Sequence, residues 1–358
     1  MDIRTILEKM AEKDASDVFL KVNCPVSMRI NGHVMTLSDF PVLTLDDINK
    51  IIDTVCNKRN KDIFKDNMDV DFSFDLDSLG RFRVSLFLQK GIPSLVMRHI
   101  KSKVGNFEEL GLPKEVLMSL AQEVRGLVLL TGPAGSGKST TIASMIEYIN
   151  QNSARHIITV EDPIEFVYKD KRSIINQREL GLDVQSYPTA LRQITLQSPD
   201  VIFIGTIRDL PTMSAAIVAA EMGILVLSTI HTINAAQTVE RVVNFFPPYQ
   251  HAEVQMQLSF LLKGVVSLRL IPRIDVEGRI PACEIMKLTP TISSLIRGNK
   301  LPDIAKYLEE GDMFNMKSFR QSLSALVREG KISRDDAYTF SDSKEELDLA
   351  LKGIKRLT

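Results

Sequence analysis

The stretch Gly132-Pro133-Ala134-Gly135-Ser136-Gly137-Lys138-Ser139-Thr140 has the spacing Gly-x-x-x-x-Gly-Lys-Ser. Glycines at Gly132, Gly135 and Gly137 let backbone N–H groups turn inward on phosphate oxygens, with Ser136 and Thr140 beside them. The Lys138 amine can reach the β- and γ-phosphates, and the Ser139 hydroxyl can ligate Mg²⁺. A buried apolar run, Gly126 to Leu130, precedes the loop. A helical pattern opens at about Lys138, so its positive end faces the same anion. A chance glycine-rich loop would need neither flanking element. The chemistry implied is binding of a nucleoside triphosphate, ATP with Mg²⁺.

Carboxylates follow one strand later. In Ile158-Thr159-Val160-Glu161-Asp162-Pro163-Ile164-Glu165-Phe166, Glu161 and Asp162 directly follow a buried strand. That is the rim where α/β sheets bind ligands. Glu161 could orient or deprotonate an attacking water, and Asp162 could hold Mg²⁺ through water. Alone, two acids ending a strand read as a solvated turn; the upstream phosphate loop favours function. Asp200-Val201-Ile202-Phe203-Ile204-Gly205-Thr206 is another buried strand, and it ends on uncharged Thr206. Ser228-Thr229-Ile230-His231-Thr232 ends a further one. His231 could sense a γ-phosphate or a neighbouring subunit, although a lone histidine is more often structural. Arg81 and Arg83 alternate with Phe82 and Val84 and so face one side of a strand. They are either a solvated face or a pair of cationic groups for a nucleotide, with Arg98 a weaker third.

The elements that must position these residues read as α/β. Residues 1–100 form a small α+β unit: an opening helix with Ile3, Leu7 and Met10 on one face, then a strand at Asp17–Val22. A strand pair turns at Asn31-Gly32, and a helix spans Asp46–Cys56. Alternating strands follow at Asp69–Phe74 and Arg81–Leu86, joined by Ser78-Leu79-Gly80, with another at Pro93–Ile100. Residues 101–113, with Gly105, Gly111 and Pro113, read as a linker. Residues 114–290 alternate short buried strands with helices, which predicts a parallel sheet with crossover helices. Residues 291–358 read as helical. Phe319, Leu323 and Leu326 form a stripe, Gly330 is a stop, and Ser333 with Asp336 a cap.

Composition bounds the function classes. The chain has 358 residues, 44% hydrophobic and 25% charged, which suits a globular protein of two domains or three. Its formal net charge of -1, with no basic aromatic-interleaved stretch, argues against a nucleic-acid motor. The three cysteines, Cys24, Cys56 and Cys283, are far apart, which fits a reducing compartment and no zinc site. The N-terminus lacks the apolar core of a signal peptide. The longest apolar stretch, Ala215 to Ile230, is broken by Glu221 and Gly223. A cytoplasmic protein is expected, with docking on a membrane partner left open.

The order of these motifs resembles the secretion-type ATPases, and specifically the type IV pilus retraction ATPase family (PilT/PilU-like). The resemblance spans nearly the whole chain. It rests on Ser16–Leu20, Gly80–Ser85, Gly132–Thr140, Val160–Phe166, Gln177-Arg178-Glu179-Leu180-Gly181 and His231-Thr232. Val242–Pro247 and Phe340–Ser343 lean towards the PilU-like branch. The resemblance implies a PAS-like N-terminal domain, a RecA-like ATPase domain and a homohexamer. It implies nucleotide between the two domains and an inner-membrane platform protein turned by ring closure at the pilus base. Gly132–Thr140 would be the Walker A loop, Glu161 and Asp162 part of the Asp box, and His231 part of the His box. Arg81 and Arg83 match arginines that approach the phosphates.

Three positions depart from the family pattern. Where the family has a water-polarising glutamate at the end of the Walker B strand, this chain has Thr206. Leu196 and Ile224 stand where arginine and histidine are usual. The expectation is that these changes cluster around one site. Loss of a water-positioning base costs roughly 10²–10⁴-fold in rate, so slow hydrolysis is expected. Two functions follow: a motor for pilus retraction, or a degenerate subunit that binds ATP and assists an active paralogue. An assembly or secretion ATPase is a third reading, set back by the lack of that branch's long N-terminal extension and four-cysteine zinc module. Thr289–Gly298 is either a surface needed for retraction or a plain helix–helix contact.

Overall fold

Two periodicities divide the chain, period-two strands early and buried strands with helices later, and the computed structural model shows both as folded units. It describes residues 1–30, 32–76, 79–100, 104–310 and 314–353. Asn31, Ser78, three of the residues read as a linker (101–103) and the end of the C-terminal region (354–358) lie outside the described residues. One unit is Met1–Lys103 with Glu165–Val167, and the other is Val104–Ile164 with Tyr168–Thr358.

The first unit runs α1 (Ile3–Glu12), β1 (Asp17–Lys21), β2 (Ser27–Ile30), β3 (His33–Thr36), α2 (Leu45–Val55), α3 (Lys58–Asn67), β4 (Asp69–Leu76), β5 (Gly80–Gln89) and β6 (Ile92–His99). Its strands form a six-stranded antiparallel sheet in the order β3-β2-β1-β6-β5-β4. Ile6, Leu7 and Met10 of α1 and Ile48 and Ile51 of α2 pack with Val18, Met28, Val84, Leu86 and Met97 in one core. Thr44 starts α2 through a reciprocal capping box with Asp47. Sequence patterning does not reveal α3, because Asn60 is its one fully buried residue and no apolar stripe marks it.

The second unit begins α4 (Lys114–Ala121), β7 (Gly126–Thr131), α5 (Lys138–Asn152), β8 (His156–Glu161), β9 (Ile174–Glu179), α6 (Tyr187–Ile194) and β10 (Val201–Thr206). It continues α7 (Leu210–Glu221), β11 (Leu225–Ile230), α8 (Ala235–Asn244), α9 (His251–Leu261), β12 (Leu262–Pro272) and β13 (Arg279–Lys287). The helices α10 (Pro290–Arg297), α11 (Asp303–Glu309), α12 (Phe319–Arg328), α13 (Arg334–Thr339) and α14 (Lys344–Leu351) follow. The seven-stranded sheet has the order β13-β12-β7-β11-β10-β8-β9. The strands from β12 to β9 are parallel, as expected, and β13 is an antiparallel edge.

Every residue of β7 is buried. Leu127 and Leu129 enter a core on one face of the sheet, and Val128 and Leu130 enter another with Ile142 and Ile146 of α5. A strand covered on both faces reads as a continuous apolar run for this reason. Phe107 and Leu112, within the stretch read as a linker, are buried in that second core. Phe319, Leu323 and Leu326 pack on Ile271 and Ile280 of the β12–β13 ribbon. Ser333 caps α13 by accepting from Asp336 N–H at 3.0 Å.

Candidate active site

In a parallel sheet all strands point the same way, so residues that end different strands share one edge. Thr131 of β7, Glu161 of β8, Thr206 of β10 and Ile230 of β11 each end a strand there. The loop from Gly132, the pair Glu161-Asp162, Thr206 and His231 thus come to one rim.

The loop is held in shape by its glycines. Gly132 has φ 141°, Gly135 75° and Gly137 94°. A Cβ on Gly132 would meet Leu268 O and Ser136 Oγ, both at 2.5 Å, so a side chain there would have to push β12 away. Gly137 precedes α5 and offers no side-chain cap. The first N–H groups of α5 are therefore left for an anion. Lys138, buried at 7% exposure, donates to Gly132 O at 2.8 Å and Pro133 O at 2.7 Å. The Ser136 hydroxyl is buried without a hydrogen-bond partner. A buried orphan hydroxyl, inward glycines and a lysine held at the loop carbonyls fit a phosphate chain. Ser139 and Thr140 follow in the first turn of α5.

Glu161 is 5% exposed. Its Oε1 accepts from Thr159 Oγ1 at 2.6 Å and from Gln177 Nε2 at 3.3 Å. Glu179 stands opposite it on β9, and its Oε2 accepts from Ile164 N–H at 3.2 Å. The Gln177–Gly181 motif is thus a brace for Glu161 and for the turn after it. Sequence reading noted the motif without that role, which appears only when β9 pairs with β8. Asp162 is exposed beside Glu161 and joined to Pro163 by a cis peptide.

His231 is exposed at the rim, and it titrates below the ordinary imidazole value through partial desolvation by the surrounding loops and the nearby Lys138 ammonium; a Gly132 backbone group opposes the shift. These neighbours bring His231 to the phosphate loop. Thr206 Oγ1 is 2.9 Å from Thr229 Oγ1 of β11. Two residues that sequence reading did not single out also reach this rim. Tyr187, which opens α6, titrates above the ordinary phenol range through burial, Asp162 and Glu161. Arg208 is near enough to act on both Tyr187 and His231.

The expected clustering of Thr206, Leu196 and Ile224 is not found. Ile224 precedes β11, at the opposite edge of the sheet from Thr206, and is buried in the core. Val201 pairs with Leu225, and Thr206 lies five residues further along, about 16 Å at strand rise. Leu196 is 84% exposed in a turn after α6. Of the three, Thr206 alone ends a strand at the rim.

In the first unit, Arg81 and Arg83 share one face of β5. Arg81 pairs with Asp75 at 3.1 Å and Arg83 with Asp71 at 2.9 Å. Arg98 pairs with Asp17 at 2.7 Å.

A cavity of about 420 Å³ adjoins the phosphate loop, bounded by Pro133–Ser136, Leu270 and Arg279 and by Thr339–Asp342. Arg269 fastens that last segment, donating to Phe340 O at 2.5 Å and Asp342 at 2.8 Å, while its guanidinium lies 3.8 Å over the Phe319 ring.

Residues 1–294 match the model of a family described as type II/IV secretion system protein. The chain belongs to this family. It is 39% identical over 352 residues to the type IV pilus ATPase PilU of Pseudomonas aeruginosa, covering 98% of this chain and 92% of that protein. It is 41% identical over 337 residues to the type IV pilus retraction ATPase PilT of the same organism, covering 94% and 97%. A crystal structure of the pilus retraction motor PilT with bound ADP superposes with a TM-score of 0.91 at 42% identity, covering 97% of this chain and 99% of that one. The expected family and architecture are therefore found: an N-terminal domain precedes a RecA-like ATPase domain. Among the described residues, no helix is long and apolar enough to cross a membrane.

Proposed function

We propose that this chain is an ATP-driven motor subunit of type IV pilus retraction that hydrolyses ATP slowly. The observation that carries the reading is the glycine-shaped loop with its orphan Ser136 hydroxyl, on the same sheet edge as buried Glu161. Gly132, Gly135, Ser136, Gly137, Lys138 and Thr140 hold the phosphates, and Ser139 would hold Mg²⁺. Bound there, Mg²⁺ would supply positive charge to the phosphates. Glu161, fixed by Thr159 and Gln177, accepts the proton of the attacking water. Asp162 would help hold Mg²⁺ through water, and His231 reports on the γ-phosphate. Arg81 and Arg83 add positive charge to the phosphates. The cavity beside the loop receives base and sugar.

The proposed assembly is a homohexamer in the cytoplasm, at the inner-membrane face of the pilus base. It drives a platform protein, with a paralogous retraction ATPase as a further partner and no nucleic acid. Thr206 supports a second reading, an accessory subunit that uses ATP to set ring shape. A hydroxyl cannot serve as a base at neutral pH.

Steady-state hydrolysis with Mg²⁺, beside Lys138→Ala, separates the readings. Turnover that disappears in the variant marks an autonomous motor. Turnover equal to the variant's, with ATP still bound by the unsubstituted protein, marks the accessory subunit.

A further inference from the structure

Strands β10 and β11 pair in regular register from Val201 to Ile204, and the register then shifts, so that Thr206 sits opposite Thr229. The shift is centred on Gly205. Its carbonyl accepts from Thr229 Oγ1 at 2.7 Å. A Cβ on Gly205 would meet the Tyr187 hydroxyl at 2.9 Å, with the next nearest atoms, Glu161 Cα and Val160 O, at 3.5 Å. A side chain at position 205 would drive the phenol away, so the missing Cβ is what admits it. Tyr187 arrives at this spot because Ser186 caps α6, accepting from Thr189 N–H at 3.4 Å. Its ring packs against the core on that face of the sheet.

The hydroxyl thus stands between the ends of β8 and β10, facing the rim where Glu161 and Asp162 lie. The Thr206 backbone lies near the phenol oxygen, and Asp162 and Glu161 act on it as nearby negative charges. Burial and those charges keep the phenol protonated, and Arg208 opposes them weakly. A phenol that stays protonated can donate its proton to an acceptor at this rim. Thr206 itself is occupied with Thr229 and brings no charge.

We propose that Tyr187 is a further catalytic residue, whose hydroxyl donates a hydrogen bond to the attacking water beside Glu161. This rests on the hydrolysis proposed above. In that step the water oxygen bonds to the γ-phosphorus. The bond from that phosphorus to the β–γ bridging oxygen breaks, and its electron pair leaves with ADP. The water proton passes to Glu161 and then to the released phosphate. Tyr187 orients the water and keeps its own proton throughout.

Tyr187→Phe deletes the hydroxyl and keeps the ring, so packing is conserved. The expected result is a fall in kcat of about tenfold or more, since a lost positioning group costs on this scale. The KM for ATP and the affinity for Mg-ADP should stay within about twofold. Affinity for the ADP–aluminium fluoride complex, which mimics the transferring phosphoryl group, should fall by the same factor as kcat. Unchanged kcat and unchanged aluminium fluoride affinity would overturn the assignment while leaving the ATPase reading intact. A parallel loss of Mg-ADP affinity would also overturn it, as a merely structural effect. An unsubstituted protein that binds Mg-ADP but shows no Lys138-dependent turnover would overturn both.

Discussion

Thr206 and Thr229 join the ends of two parallel strands by a 2.9 Å contact between their hydroxyls. Thr229 gives its single proton to Gly205 O at 2.7 Å, so Thr206 is the donor between them. The two threonines close a chain of hydrogen bonds over a register shift, at the place where the sheet meets the phosphate loop. Thr206 therefore supports the backbone of the rim and does not act as an acid or base.

Thr206→Glu is expected to raise ATP turnover at least about tenfold, because a carboxylate at the end of β10 can hold water that a threonine cannot. Steady-state hydrolysis, with Mg-ADP affinity as the control for folding, checks this. No gain in turnover would show that the slow step lies elsewhere.

Lys138→Ala removes both the cation and the ties to Gly132 O and Pro133 O. Turnover should fall about 100-fold or more, with a matching loss of triphosphate affinity. Lys138→Arg should rescue little, because a planar guanidinium does not replace a compact ammonium in a tight loop. Isothermal titration with Mg-ATP reads the binding loss directly.

His231 should titrate below 6.5 in the nucleotide-free protein, held down by partial desolvation and by Lys138. A depressed imidazole pKa favours folding above the ordinary value, and that contribution is lost as pH falls through the folded-state pKa. Bound phosphates bring negative charge and should move the midpoint upward. Proton NMR of the imidazole with and without Mg-ADP measures both. An unmoved midpoint would separate His231 from the nucleotide.

Glu284 on β13 is 8% exposed, and burial raises its pKa to about 7, opposed by the Ala235 N–H at 2.7 Å and by Arg269. A carboxyl raised in the folded state is favoured when protonated. It costs stability as pH climbs from its ordinary 4.5 through about 7. Glu284→Gln keeps an acceptor for Ala235 and loses the charge. It should be more stable than the parent above pH 7, by on the order of 1–3 kcal/mol, and the two should converge near pH 4.5. Urea unfolding across that range tests it, and parallel curves at every pH would count against the assignment.

The phosphate loop was legible without coordinates. Gly132 to Thr140 is local chemistry, and its glycines are needed for backbone conformations that a short stretch of sequence specifies by itself. The same holds for the central strands β7, β10 and β11, whose apolar runs declare burial on both faces, and for the capped start of α13 at Ser333. Helix α3 stayed hidden because Ile63 and Phe64 are its lone apolar residues and form no periodic stripe, and strand β9 because its alternation is mostly half-buried.

What sequence could not decide is which distant residues meet. Leu196, Thr206 and Ile224 look like neighbours on the page, but the parallel sheet sends strand beginnings to one edge and strand ends to the other. Thr206 therefore reaches the rim while Ile224 is buried in the core away from it. Gln177 braces Glu161 because β9 lies beside β8, and Tyr187 meets Gly205 because that residue has no side chain. Loop conformation and strand burial are set by short-range sterics and apolar patterning, so the sequence alone determined them. The company kept by Glu161, Tyr187 and Thr206 is set by strand order and register, which exist only once the sheet has closed.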